Sequence, residues 1–363
     1  MIRDREYYMK LAMRLALKAK GKTAPNPMVG AVVVKNGKII GRGYHEKAGA
    51  AHAEVKALEK AGKNALGARL YVTLEPCAHF GRTPPCVDKI ISSGIKEVYV
   101  GMIDPNPVNN GKGIQALKKH HIKVEVGILQ DRLKMMNEAF IKYITRGLPL
   151  VTVKVAQSLD GKIATSGGDS KWITSDKARV YAHRLRKDFD AIMVGVNTVL
   201  RDNPWLDPWF SKKDLIKVIV DTQLSTPPGA NIFSRKSSVI IATLPSPAGQ
   251  ETENRQMLAQ KARILEVKER AGQVNLRDLL KKLAQQGILS ILVEGGGTLI
   301  GSLFDEGLVD KALFFVSPKV LGGKDAISSV EGKGVSRVDK AIKVKEARVR
   351  RIGPDFLIEG RIS

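Results

Sequence analysis

Apolar positions recur at helical spacing from residue 4 to residue 20 and stop at Gly21, with the charges of MIRDREYYMKLAMRLALKAKG spread between them. The period then changes. In VGAVVVKNGKIIGRGY two β-branched runs flank Asn36-Gly37, which predicts a hairpin closed by a type I′ turn. A helix is predicted from about Ala51 to Ala61, closed by Gly62. ARLYVTL is a short apolar run that predicts a buried strand. VDKIISSGI predicts a helix ending at Gly94, KEVYVGM and IKVEVGI predict strands, and 130–142 predicts a further helix.

The pattern restarts in TRGLPLVTVKVAQSLDGKIA, where Gly147 and Pro149 break the helix and a new β-run begins at Leu150. A boundary near 146 divides the chain into 1–146 and 147–363. The second part predicts strands near 150–155, 190–194, 216–220, 238–242, 290–293 and 311–316, and helices near 175–187, 275–286 and 297–306. Such alternation implies an α/β sheet with mainly parallel strands. Residues 244–256 (LPSPAGQETENRQ) read as an exposed loop, and neither an internal repeat nor a low-complexity tract is present.

Composition narrows the class. A chain of 363 residues with 43% hydrophobic and 26% charged residues is globular and favours two domains. No apolar run reaches the ~18 residues that a membrane span needs. The N-terminal stretch lacks the apolar core of a signal peptide, so a cytoplasmic protein is expected. The net charge of +24 invites a nucleic-acid partner, but the lysines and arginines are scattered and often lie beside acids. Solvated surface or a phosphorylated small substrate suits the charge equally. Two cysteines cannot make a disulfide framework; in a reducing compartment they more often serve a metal or catalysis.

Both cysteines lie in TLEPCAHFGRTPPC, each after a proline, with eight residues between Cys77 and Cys86. Upstream, GYHEKAGAAHAEVKALEKAG offers His52 and Glu54 at a predicted helix start. Two thiolates and one imidazole suit zinc and leave a fourth position for water, as catalytic zinc sites do. The plainer alternative makes the cysteines small buried apolar residues and His52 a helix cap. The order H-x-E, then P-C, then a second cysteine resembles the zinc-dependent nucleoside and nucleobase deaminases. In that family the histidine and cysteines hold zinc and the glutamate shuttles protons, which implies one Zn2+ on His52, Cys77 and Cys86 with Glu54 catalytic.

The usual members have two residues between the cysteines. Eight residues resemble one subgroup, the bifunctional riboflavin-biosynthesis proteins, a pyrimidine deaminase fused to a reductase. The likeness extends through APNPMVGAVVV, GRGYHEKAG, GMIDPNPVNNGKG, LDGKIAT, SKWITS, GVNTVLRDNPWL, VEGGGTL and SPKVLGG, over essentially the whole chain. It implies an α/β fold throughout: a cytidine-deaminase-like three-layer α/β/α domain, then a dihydrofolate-reductase-like α/β domain that uses NADPH. It also implies that Asn26 and His45 line the pyrimidine pocket, and a loop carrying Arg82 and Thr83 is expected to close over the substrate.

In ILVEGGGTLIGSLF, glycines open a helix and could let amides approach a phosphate. Ile300 stands where a dinucleotide fingerprint has its third glycine, so a Rossmann fold is not supported. By the resemblance, Gly296, Gly297, Thr298, Leu299, Ile300, Gly301 and Ser302 hold the cofactor together with Ala156, Trp172, Thr198 and Asp202. Ser170, Arg186, Leu206 and Glu294 contact the reductase substrate. Without the resemblance Trp172 reads as a core aromatic and Arg186 as a solvated charge. The chain departs from the family at Asp207-Pro208-Trp209, where Thr-Val-Arg is usual. Lys212 or Lys213 is expected to replace that arginine, or affinity for the substrate falls. The partners expected are a phosphorylated small molecule and a homo-oligomer, with neither nucleic acid nor membrane. A transfer-RNA deaminase with an RNA-binding second half is the competing function, and the wide cysteine spacing speaks against it.

Overall fold

A computed structural model describes residues 4–80, 84–208, 214–234, 237–246 and 252–363. Arg82, Thr83, Trp209, Lys212 and Lys213 lie outside the described residues. The chain divides into two compact units, Met1–Leu148 and Pro149–Ser363.

The first unit is built on strands β1 (Gly30–Lys35), β2 (Lys38–Tyr44), β3 (Arg69–Val72), β4 (Glu97–Val100) and β5 (Lys123–Val126). Their order in the sheet is β2-β1-β3-β4-β5. β1 runs antiparallel to β2 and β3, while β3, β4 and β5 are parallel. Asn36 and Gly37 both have positive φ, +49° and +76°, as a type I′ turn requires. Its helices are α1 (Arg5–Ala16), α2 (Ala53–Ala61), α3 (Cys86–Ser92), α4 (Lys112–Lys119), α5 (Gln130–Met136) and α6 (Glu138–Arg146).

Two glycines show how the layers are stacked. A Cβ on Gly30 would lie 2.0 Å from the Ala12 carbonyl oxygen of α1, and one on Gly43 would lie 2.2 Å from the Ala53 carbonyl oxygen of α2. Gly30 pairs with Tyr44, the neighbour of Gly43, so the two glycines face opposite sides of the pleat. Hence α1 and α2 cover opposite faces, and the unit has the expected α/β/α layers. Met9, Ala12, Val32, Val33, Ala57 and Leu70 are fully buried in its core.

The single helix expected over 130–142 is two helices. Asn137 interrupts it at φ −106° and spends its side chain elsewhere. Its Oδ1 accepts from the Met28 N–H at 2.8 Å and its Nδ2 donates to the Met28 carbonyl at 3.0 Å. A buried amide thus replaces a sheet partner for the strand-like segment after Asn26.

The second unit holds β6 (Leu150–Gln157), β7 (Ala191–Gly195), β8 (Ile216–Val220), β9 (Val239–Thr243), β10 (Arg263–Glu266), β11 (Ser290–Glu294), β12 (Lys311–Val316), β13 (Val344–Ile352) and β14 (Asp355–Ile362). Among the described residues they form one sheet of order β10-β9-β8-β7-β11-β6-β12-β14-β13. From β10 to β12 every pairing is parallel, and β14 and β13 add an antiparallel hairpin. The connecting helices are α7 (Asp176–Leu185), α8 (Val196–Asp202), α9 (Glu253–Ala259), α10 (Leu276–Gln285) and α11 (Gly297–Asp305). Helix α9 occupies part of the stretch expected to be loop. Thr252 caps it by accepting from the Arg255 N–H, and Leu258 anchors it in the core. Among the described residues no helix is long and apolar enough to cross a membrane.

Candidate active sites

His52 is the residue immediately before α2, and Cys86 is the first residue of α3. Cys77 follows β3 in an irregular segment. Its carbonyl accepts from the Val87 N–H and its Sγ from the Cys86 N–H, which folds the two cysteine segments together. His52 Nδ1 lies 3.1 Å from Cys86 Sγ and 3.6 Å from Cys77 Sγ. All three potential ligand atoms lie within 4.8 Å of one another. Zinc bonds of about 2.3 Å to sulfur and 2.0–2.1 Å to nitrogen, tetrahedrally arranged, fit a triangle of that size. The Cys77 thiol is held well below its usual range, chiefly by the Cys86 hydrogen bond and, against burial, by His52. A thiolate is the form that binds metal. Cys86→Ser is expected to purify with far less than one zinc per chain by atomic absorption; full occupancy would exclude this cluster as the ligand set.

Glu54 sits in the first turn of α2 and is only 3% exposed. Burial, then the Cys77 charge, push its carboxyl up to about 7. The helix start therefore presents an imidazole and a buried carboxyl of raised pKa two residues apart.

His52, Glu54 and Cys77 line a cleft of about 330 Å³ together with Asn26, His45, His79, Asp104, Asn106 and Phe140. Asn26 Nδ2 donates to His45 Nε2 at 3.0 Å, and His45 Nδ1 donates to the Ala51 carbonyl at 3.4 Å. Those two bonds select one imidazole tautomer, and burial keeps the ring neutral by lowering its pKa. The structure thus brings Asn26, His45, His52, Glu54, Cys77 and Cys86 together. His79, Asp104 and Asn106 are cleft residues that the sequence reading missed, although both their segments, TLEPCAHF and GMIDPNP, carried the resemblance. His79 Nδ1 is buried and has no hydrogen-bond partner among the described residues.

In the second unit β11 leads through Gly295 and Gly296 into α11. A Cβ on Gly295 would meet nothing closer than 3.6 Å, and one on Gly296 nothing closer than the Thr198 hydroxyl at 4.0 Å. No side chain caps the helix start. An open backbone beside uncapped N–H groups fits a phosphate of NADPH. Gly297 and Gly301 have a different role. Their missing Cβ atoms admit Ser328 and Glu331, whose carbonyl oxygens would lie at 2.3 Å and 2.0 Å. Leu299 and Ile300 are buried, Ser302 donates to the Thr298 carbonyl, and Thr298 donates to Glu331.

Trp172 is 61% exposed rather than core, with the Arg179 guanidinium 4.1 Å from its ring centre. Ser170 donates to Asp202 at 3.4 Å, and Ala156 is half-buried on β6. Leu206 points into a hydrophobic cluster with Ile192, Leu215 and Ile232.

Arg186 is buried, not a solvated charge. It donates twice to Glu294, Nε to Oε1 and Nη2 to Oε2, each at 2.9 Å. Lys154 Nζ adds a contact at 3.1 Å to the same carboxylate, whose strand neighbour across the β6–β11 ladder it is. Burial opposes ionisation of Glu294, but Arg186 and Lys154 outweigh it and hold the carboxyl far below its usual range. Lys154 was missed by the sequence reading; a lysine inside the apolar run VTVKVA was the available signal. Burial and then Arg186 lower the His183 imidazole to about 4, so it is neutral beside Arg186. The departure at Asp207 also has a place. Asp207 pairs with the fully buried Lys217 at 3.0 Å, and its carbonyl accepts from Arg186 Nη1 at 3.0 Å.

The histidine, two cysteines and buried glutamate of the first unit are the parts of a metal-dependent deaminase, and the open glycine turn of the second unit suits a nucleotide cofactor. The comparisons with known proteins agree. Residues 2–102 match the cytidine and deoxycytidylate deaminase zinc-binding region, and residues 149–358 match the RibD C-terminal domain. The riboflavin biosynthesis protein RibD of Aquifex aeolicus is 45% identical over 97% of this chain and 96% of its own. That of Escherichia coli is 38% identical over 97% of this chain and 98% of its own. A crystal structure of the deaminase/reductase of Thermotoga maritima, 38% identical, superposes with a TM-score of 0.86, covering 99% of this chain and 98% of that one. Acinetobacter baumannii RibD, 34% identical, gives 0.88 with the same coverage. The chain belongs to the RibD family, bifunctional deaminase/reductases of riboflavin biosynthesis with a zinc-binding deaminase domain and an NADPH-using reductase domain.

Proposed function

We propose that residues 1–146 deaminate 2,5-diamino-6-ribosylamino-4(3H)-pyrimidinone 5′-phosphate and that residues 147–363 reduce the product to 5-amino-6-ribitylaminouracil 5′-phosphate. The observation that carries the first step is Glu54, buried at the cleft wall two residues from His52 and beside both cysteines. His52, Cys77 and Cys86 hold zinc, which when bound supplies the Lewis acidity that brings a water toward ionisation near neutral pH. Water adds to the amino-bearing carbon, the C–N bond breaks, a carbonyl takes its place and ammonia leaves. Glu54 takes a proton from that water and delivers it to the departing amine. The Asn26–His45 pair orients the pyrimidine.

In the second step NADPH, when bound, supplies a hydride to the ribosyl group. The substrate also gains one proton, and its ribose ring opens to a ribityl chain. The open Gly295–Gly296 turn and the N–H groups that begin α11, with Ala156, Trp172, Thr198 and Asp202, place the cofactor, while Gly297, Leu299, Ile300 and Gly301 pack the helix that carries them. Ser170, Arg186, Leu206 and Glu294 place the substrate, the buried Leu206 through its backbone. The protein contributes orientation and exclusion of water. The exposed side chains of Val349, Phe356 and Ile358, on one side of the C-terminal hairpin, support a homo-oligomer.

Incubation with the diaminopyrimidinone phosphate, followed by mass, tests the whole assignment. A deaminated product without NADPH and a further reduced one with it are expected. Deamination alone would remove the second half, and no product from zinc-loaded protein would remove both.

A further inference from the structure

Between β4 and α4 the segment 104–111 runs along the cleft wall and is hung from one buried carboxylate. Glu75 accepts from the Asp104 and Gly111 N–H groups at 3.1 and 3.0 Å and from the Ile114 N–H at 3.2 Å. From the middle of this segment Asn109, 0% exposed, reaches back to the metal-binding loop. Its Oδ1 accepts from the Ala78 N–H at 3.0 Å, and its Nδ2 donates to the Pro76 carbonyl at 3.4 Å. Those are the peptide groups on either side of Cys77. The same Nδ2 donates to Asp104 Oδ2 at 3.2 Å. Asp104 is itself a lining residue of the cleft.

We propose that Asn109 is a positioning residue for the deaminase: its buried amide fixes the Cys77 ligand from both sides and ties it to the Asp104 carboxylate at the cleft wall. Only an amide of this length supplies one acceptor and two donors in one plane. Turned over, it would set N–H against the Ala78 N–H and its oxygen against the Pro76 carbonyl and the Asp104 carboxylate. An aspartate would keep the bond from Ala78 and lose both donated bonds. Groups that orient metal ligands typically change metal affinity by about 10–100-fold when removed. The bond to Asp104 adds a second effect, on the substrate side of the same cleft. Asn109 therefore sets the direction of a zinc ligand and of a substrate-facing carboxylate without touching metal or substrate.

The proposal rests on the deaminase reading, and the full-length chain separates the two. The variants are Asn109→Ala and the near-isosteric Asn109→Asp. Zinc transfer to a chromogenic chelator, KM and kcat for deamination, melting temperature and reductase rate on the deaminated substrate are measured for each. Asn109→Ala is expected to release zinc about tenfold faster. Asn109→Asp is expected to raise the deaminase KM about tenfold, since it opposes Asp104 with a like charge at hydrogen-bond distance. The reductase rate stays at the wild-type value in both. Wild-type zinc release and KM in both variants, whatever the melting temperature, would overturn the proposal and leave Asn109 a purely structural residue. A wild-type chain that releases no ammonia would instead overturn the deaminase reading.

Discussion

Glu54→Gln is expected to lower the deamination rate by about three orders of magnitude while zinc content and reductase rate stay at wild-type values. Positioned proton transfer contributes roughly 10²–10⁴-fold to catalysis, and an amide of the same shape cannot carry the proton. Glu54 is buried in the first turn of α2, so the substitution removes a charge without opening a cavity. The side chain is no part of the His52, Cys77 and Cys86 triangle, which is why the metal should remain. The reductase unit of the same chain serves as an internal check on folding. Ammonia release, metal analysis and NADPH consumption read the three quantities. A variant that deaminates within tenfold of wild type would show that another group moves the proton.

Arg186→Ala is expected to cost the second unit about 3–5 kcal/mol, because it strands the Glu294 carboxylate in the interior. Lys154 at 3.1 Å remains as a partial counter-ion, which places the loss toward the lower end. For a unit of this size that corresponds to a fall in Tm of about 10 °C. Reductase activity should be lost as well, while deamination persists. The double change Arg186→Met with Glu294→Gln should recover part of the stability and none of the reductase activity. Glu294 has a folded pKa far below its ordinary value, so the pair's contribution is present above about pH 4.3. It is lost only as pH falls through the depressed value. Calorimetry of the single variant decides the matter: an unchanged transition of the second unit would mean that the pair contributes nothing net.

The parts of this architecture that the sequence made legible are those where local chemistry and tertiary role coincide. The Asn36-Gly37 hairpin was predicted because only left-handed backbone closes that turn, and both residues adopt it. His52, Cys77 and Cys86 were singled out by residue type and order, since zinc limits which side chains can serve, and their ligand atoms do lie together. What escaped depends on long-range placement. Helix α8 and strand β10 are short, and their patterns are too brief to count a period. The C-terminal hairpin β13–β14 escaped because β13, VKEARVRRI, is exposed almost throughout and shows no alternation of apolar and polar residues. Without the resemblance Arg186 reads as a solvated charge, because its partner stands far along the chain at Glu294. Asn109 drew no notice, and Asn137 lay unmarked inside the single helix expected over 130–142. Their amides instead hold segments distant in sequence, and no local pattern reports that.

Strand β6 is the first strand of the second unit, yet it lies inside the sheet between β11 and β12. Its ladder partners begin only at Ser290 and Lys311. During synthesis an apolar strand with Val151, Val153 and Val155 destined for the core therefore emerges long before either neighbour exists. Closing such distant parallel pairings is slow, and an unpaired apolar strand invites aggregation. The deaminase half, complete by Leu148, can fold while β6 waits. Birth order thus makes the reductase the late and vulnerable half of the chain, the one in which a destabilising substitution would first appear as lost soluble yield.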